Sequence, residues 1–372
     1  MDNSNHDPFD WLRRSMKALL AALLPFSLLT LAAAFRFPDA TETVYAQTIY
    51  PLVARAFAVA NGWSFSLAEP LALLFVVVIT HALIRIARRP RPTAMRTLFW
   101  GWSLLGVLAS AFVATWGYNY ARPRLAEREA LPSVEVDVAA VLASGREAAT
   151  LTEVLFHELP DARAPSALPL SFEELNIELD EAYTRLGMAG DPITFRPTPA
   201  KPLRSSELFS YLGISGIYVP FTGEPSVNIL QPDISLPMVV AHEKAHQRGI
   251  TDEGEANFAA FLVCSEPSSP TYLRYAAYHF ATRYLLGAAS RYADRSMMAE
   301  AWELLSDGPR QDVIAIQEFW AGYEGPAQDV AAEVNNLYLE SLRVEGGIES
   351  YGTVVQMLVA LDASGRFIRK RP

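Results

Sequence analysis

Apolar residues run along this chain in two different patterns, and the change comes near residue 120. Before it they are almost continuous. Residues 18–35, 70–86 and 98–118 each approach the roughly twenty positions that a helix needs to cross a bilayer, which predicts three N-terminal transmembrane helices within an anchor spanning 1–120. Beyond residue 120 the apolar positions recur every three or four residues instead. That spacing predicts amphipathic helices over 134–159, 171–186, 251–264, 271–286, 297–306, 312–320 and 329–342. Pro160 ends the first of these, and Ser171 with Glu174 has the spacing of a capping box on the second. Proline-rich loops occupy 165–169 and 192–202. Only 216–220 and 226–230, rich in branched and aromatic residues about a Gly-containing turn, read as strands, and they predict a hairpin. The expected fold class is mainly α with a small β element, three transmembrane helices being followed by one domain over 121–372.

Charge orients the anchor. Arg13, Arg14 and Lys17 precede the first apolar segment, and Arg85, Arg88, Arg89, Arg91 and Arg96 crowd the link between the second and third. The loop over 36–69 holds only Arg36 and Arg55. The positive-inside rule then places the N terminus in the cytoplasm, and three crossings place residues 119–372 outside a bacterial cytoplasmic membrane as part of a multi-pass protein. Phe35-Arg36 lacks the small residues of a signal-peptidase site, so the first segment reads as retained. The net charge is −10 with the basic residues gathered at the membrane, which leaves the C-terminal domain acidic and argues against a nucleic-acid partner. A single cysteine, Cys264, excludes an internal disulfide framework.

Against this background one motif carries chemistry. His242-Glu243-Lys244-Ala245-His246 places two imidazoles one helical turn apart with a carboxylate beside the first, the minimal apparatus of a zinc hydrolase. Only six histidines occur in the chain, so chance would produce this spacing on the order of one time in a hundred. The apolar run before the motif predicts a buried helix, with Pro232 or Pro237 near its first turn and Gly249 as its stop. His242 and His246 would ligate Zn2+ while Glu243 acts as general base. A third ligand is sought in the acidic stretch that follows: Glu253 ranks first, Glu255 second and Asp252 third. With Glu253 as ligand, Asn257 lies one turn on and reaches a ligand histidine from behind.

HEKAHQRG, followed by EGEANF and preceded by SGIYVPFTGEPSVN, resembles the DUF3810 family of bacterial membrane proteins. Trp116-Gly117-Tyr118-Asn119-Tyr120, Asn336-Leu337-Tyr338-Leu339 and Ser350-Tyr351-Gly352 extend the resemblance over most of the chain. It implies a zincin-like metallopeptidase domain. Glu253 to Asn257 is similar to the ExxAD helix of gluzincin peptidases, where the first Glu binds the metal; Asn257 stands in place of their Asp. Two tyrosines from the family-like stretches, Tyr338 and Tyr351, are candidates to stabilise an oxyanion. Zincin-type enzymes commonly bind extended substrate along a strand before the active helix, which makes Gly216, Ile217, Tyr218 and Val219 candidate substrate contacts. The expected function is a membrane-anchored zinc metallopeptidase acting on a peptide or protein, including membrane or envelope proteins, beside a lipid bilayer. The alternative is a zinc-binding membrane protein with a structural or sensing role.

Overall fold

The computed structural model describes residues 10–88, 92–163, 165–188, 197–331, 333 and 352–367. It forms two compact units, Met1–Val53 with Leu67–Arg122, and Ala54–Ser66 with Pro123–Pro372.

The first unit contains α1 (Asp10–Arg36) and a π-helical segment Thr41–Ile49 that leads into α2 (Tyr50–Ala60). Helices α3 (Ala68–Ala87) and α4 (Pro92–Thr115) follow. Gly106 lets α1 and α4 approach closely, since a Cβ there would lie 3.1 Å from the Leu24 backbone nitrogen. Ser27 and Ser110 hydroxyls bond across the same contact at 2.7 Å. Apolar side chains such as Leu29, Leu73 and Leu98 remain exposed on these helices.

Two expectations for this region are corrected. Among the described residues two helices, Arg14–Arg36 and Met95–Thr115, are long and apolar enough to cross a membrane, not three. Within α3 the apolar stretch Ala68–His81 is shorter than either of these. The stretch over 36–69 is also helical for much of its length rather than a loop.

In the second unit, α5 is Val138–His157, capped by the Asp137 carboxylate, which accepts from the Ala140 N–H at 2.7 Å. That cap fixes the start four residues after the periodicity suggested. Helix α6 (Phe172–Arg185) carries both halves of the Ser171/Glu174 capping box. There follow α7 (Leu236–Gln247), α8 (Glu253–Cys264), α9 (Thr271–Ala289), a short helix Arg295–Glu303, α10 (Asp307–Ala321) and α11 (Thr353–Ala363). Helix α10 begins earlier than expected because Pro309 falls in its first turn, where the missing N–H costs nothing. The predicted helix over 329–342 falls mostly outside the described residues.

Helix α9 forms the centre of this unit, with Tyr275, Tyr278 and Leu285 fully buried and the Phe261 ring of α8 edge-on to Tyr278 at 5.5 Å. Gly145 on α5 permits the close α5–α9 contact, as a Cβ there would meet Leu286 Cδ2 at 2.7 Å.

A three-stranded sheet has the order β1-β3-β2, with β1 at Lys201–Pro202, β2 at Gly216–Val219 and β3 at Glu224–Val227. The expected hairpin is β2–β3, antiparallel with Gly216 opposite Val227. Its turn closes at Gly223, which has φ +67°, so β3 comprises 224–227 rather than 226–230. Strand β1 pairs parallel to β3 inside a stretch expected to be loop; two residues are too few to show alternation. Lys201 anchors it through a buried ion pair to Glu224 at 2.6 Å. Lys201 also donates to the Asn61 side chain and the Phe65 carbonyl, which ties Ala54–Ser66 into the second unit. Strand β2 lies at the sheet edge and is partly exposed.

Candidate metal centre

The centre is built on the turn between α7 and α8. Pro237 sits in the first turn of α7, and Val240, Ala241 and Ala245 are fully buried on its inner faces. The helix ends at Gly249, whose φ of +77° suits glycine. The Gly249 N–H bonds to the His246 carbonyl at 2.8 Å and the Ile250 N–H to the Ala245 carbonyl at 3.2 Å, the paired bonds of a Schellman termination. This turn also delivers the Ile250 carbonyl to His246 Nδ1 at 2.7 Å, which fixes the proton on that nitrogen.

Helix α8 starts on Asp252, whose carboxylate accepts from the Glu255 N–H at 2.8 Å. This cap sets the rotation of the helix and sorts the three acidic candidates. Asp252 is occupied as the N-cap. Glu255 points the other way, its Oε1 accepting from the Leu125 N–H at 2.8 Å. Glu253 faces α7: its Oε2 lies 3.1 Å from His242 Nε2 and 3.7 Å from His246 Nε2. One turn along, Asn257 Oδ1 takes His242 Nδ1 at 3.0 Å.

Both imidazoles therefore have Nδ1 engaged and turn Nε2 inward, where the two nitrogens are 3.1 Å apart. Two lone pairs and a carboxylate in mutual contact repel unless a cation lies among them. One ligand atom from each of His242, His246 and Glu253 falls within 4.8 Å of the others. Without a metal, a proton must serve. Burial alone would depress the His246 pKa, yet the Glu253 and Glu243 carboxylates outweigh it and push it up to about 9. The same two histidines hold Glu253 well below the usual carboxylate range against the opposing effect of burial. Two nitrogens, one carboxylate oxygen and hydrogen-bonded backing on both rings form a donor set suited to Zn2+.

Glu243 lies beside this set, only 3% exposed, with Oε2 buried and unpartnered among the described residues. Burial raises its pKa, partly offset by the two histidines. Gly216 at the start of β2 presses against it: a Cβ there would lie 2.6 Å from Glu243 Oε1. The candidate substrate strand Gly216, Ile217, Tyr218 and Val219 thus begins at the candidate base.

The opposite face of α7 is held by charge. Lys244 and Arg248 both donate to Asp180 at 2.8 Å, and the Arg248 guanidinium lies 3.8 Å over the Tyr183 ring. Tyr183 in turn donates to the Ala241 carbonyl at 2.6 Å.

A cavity of about 280 Å³ opens next to the donor set, walled by α7, α8 and α9. His279, Arg283 and Tyr284 line it alongside His242, Glu253 and Asn257. These three α9 residues were not singled out from sequence, although Ala276, His279, Phe280 and Arg283 share one helical face. Burial and the neighbouring Arg283 lower the His279 pKa to about 3, so its ring is neutral. Tyr338 and Tyr351, the candidate oxyanion donors, lie outside the described residues. Cys264 is fully buried and far from any such role, with Sγ against the Pro237 carbonyl at 3.5 Å.

The sequence pattern of the family described as "Protein of unknown function (DUF3810)" matches residues 45–359. No curated protein and no solved structure matches the chain.

Proposed function

The chain belongs to the DUF3810 family, and because that membership carries no activity we propose one from the site itself: a membrane-anchored, zinc-dependent hydrolase of peptide bonds with a zincin-like centre. One observation carries the reading. His242, His246 and Glu253 converge their ligand atoms within 4.8 Å, while a buried, unpartnered carboxylate oxygen of Glu243 stands beside them.

Bound there, Zn2+ would supply Lewis acidity, lowering the pKa of a water and polarising a carbonyl. Glu243 accepts the proton from the attacking water. Its burial favours the protonated form that then returns the proton to the leaving amine. Asn257 and the Ile250 carbonyl keep both imidazoles in the tautomer that offers Nε2. The edge strand β2 offers backbone groups for an extended peptide, and the absence of a side chain at Gly216 lets that peptide approach Glu243.

Exposed apolar helices support membrane association. The side on which the site lies depends on the number of crossings. Two return the chain to the cytoplasm, whereas the arginines over 85–96 favour a cytoplasmic link after α3 and so an outer placement for the site. A reporter fused after Pro372 and scored for periplasmic or cytoplasmic activity decides between them.

The second reading, a structural or sensing zinc site, draws support from how little of Glu243 is exposed. Cleavage of a peptide library by the detergent-solubilised full chain separates the two. The hydrolase reading expects cleavage by wild type, none by Glu243→Gln, and equal zinc in both. Zinc in both with cleavage in neither would leave the structural or sensing role.

A further inference from the structure

The cavity beside the donor set holds a cation that no described residue satisfies. Helix α7 with its N-cap Ser235 contributes Ser235, Met238, Val239 and His242 to the wall, and α9 contributes Ala276, His279, Phe280 and Arg283. Each set follows the i, i+3, i+4, i+7 spacing of a single helical face, so the wall is formed by two regular surfaces and not by a chance gap. Ile316 and Trp320 of α10 add apolar surface. Arg283 sits among these groups half-buried, and among the described residues it makes no hydrogen bond and no ion pair. A guanidinium stays charged at any physiological pH, and removing it from water without a partner is costly. His279 beside it is neutral, and Tyr284 brings a hydroxyl to the same wall. The carboxylate facing this cavity from α8 is Glu253, which already points to the two imidazoles.

We infer that Arg283 is a specificity-determining residue that receives a carboxylate of the substrate, while the apolar wall beside it takes an apolar side chain or stem. The inference rests on the hydrolase reading for what enters the cavity. The shared chemistry is a carboxylate. Its source is either the C-terminal α-carboxylate of a peptide or an acidic side chain within one.

The test is equilibrium binding to the metal-stripped full chain in detergent, followed by ligand-detected NMR. The probes are N-acetyl-phenylalanine, its carboxamide, and N-acetyl-glutamate α-amide. A charged hydrogen-bonded pair predicts that one of the two acids binds wild type about tenfold or more tightly than the carboxamide. Arg283→Gln removes that preference, while Arg283→Lys retains part of it. Whichever acid is preferred identifies the source. Unchanged thermal unfolding of Arg283→Gln establishes that the loss is not one of folding. Equal binding of acid and carboxamide by wild type, an unaltered preference in Arg283→Gln, or no binding of any probe up to its solubility limit would overturn the inference. If any of these occurs in a chain that binds zinc and cleaves peptides, the role of Arg283 falls and the hydrolase reading stands. An Arg283-dependent preference in a chain that neither binds zinc nor cleaves peptides gives the reverse.

Discussion

Replacing Asp180 by asparagine removes the carboxylate to which both Lys244 and Arg248 donate behind α7. The Lys244 and Arg248 side chains are 0% and 2% exposed, and each donates to a different Asp180 oxygen at 2.8 Å. Burial works against the ionised form of Asp180, but the two cations outweigh it and hold its pKa below the ordinary value. Removing one partner of a buried ion pair costs about 3–5 kcal/mol. Asp180 itself is 33% exposed, and water reaching the site screens part of this, so the lower end of about 3 kcal/mol is expected. For a domain of this size that corresponds to a fall in Tm of roughly 6–12 °C. Thermal unfolding of the full chain in detergent, followed by tryptophan fluorescence, reads it directly. Asp180→Asn combined with Lys244→Met should recover part of the loss by removing one orphaned cation. The contribution also has a definite pH window: because the folded pKa is depressed, it is fully present above about pH 4 and is lost as pH falls through the lower folded value. A Tm for Asp180→Asn within about 2 °C of wild type at neutral pH, well inside the expected shift, would refute the reasoning.

Other perturbations act on the centre itself. Gly216→Ala places a methyl 2.6 Å from Glu243 Oε1 and should lower cleavage at least about tenfold with zinc content unchanged, measured on the same preparation. Asn257→Ala removes the acceptor behind His242 and should weaken zinc affinity by about 10–100-fold in a competition assay with a chromogenic chelator. In the metal-free protein the raised His246 pKa, about 9, contributes stability that is present below about pH 6.5 and lost as pH rises through 9. Zinc must displace that proton, so binding at pH 7.5 should release about one proton, detected by calorimetry in buffers of different ionisation enthalpy.

The parts of this account that could be read from sequence are those encoded in short-range spacing. The two histidines at i and i+4, the stop at Gly249 and the Ser171/Glu174 capping box each depend on residues within one or two turns. The choice among Glu253, Glu255 and Asp252 was open because it depends on the rotation of α8. Asp252 can be read from sequence as a cap of α8, but only the packed structure turns the Glu255 carboxylate away, to the Leu125 N–H. Strand β1 was not legible, since its pairing with β3 depends on a buried Lys201–Glu224 contact across 23 positions. Arg283 and Tyr284 join the centre only because α9 packs beside α7, a relation that periodicity within α9 cannot express. The second apolar segment, over 70–86, differs from the other two in that the apolar stretch described within it, Ala68–His81, is shorter.

The central claim is that His242, His246 and Glu253 hold one zinc ion. It is tested most directly by elemental analysis of the purified full chain, with His246→Ala, Glu253→Gln and Glu255→Gln prepared in parallel. The account predicts close to one zinc per chain in wild type and in Glu255→Gln, and little in the other two. A well-folded wild type without zinc, or zinc retained in full by both His246→Ala and Glu253→Gln, would contradict it.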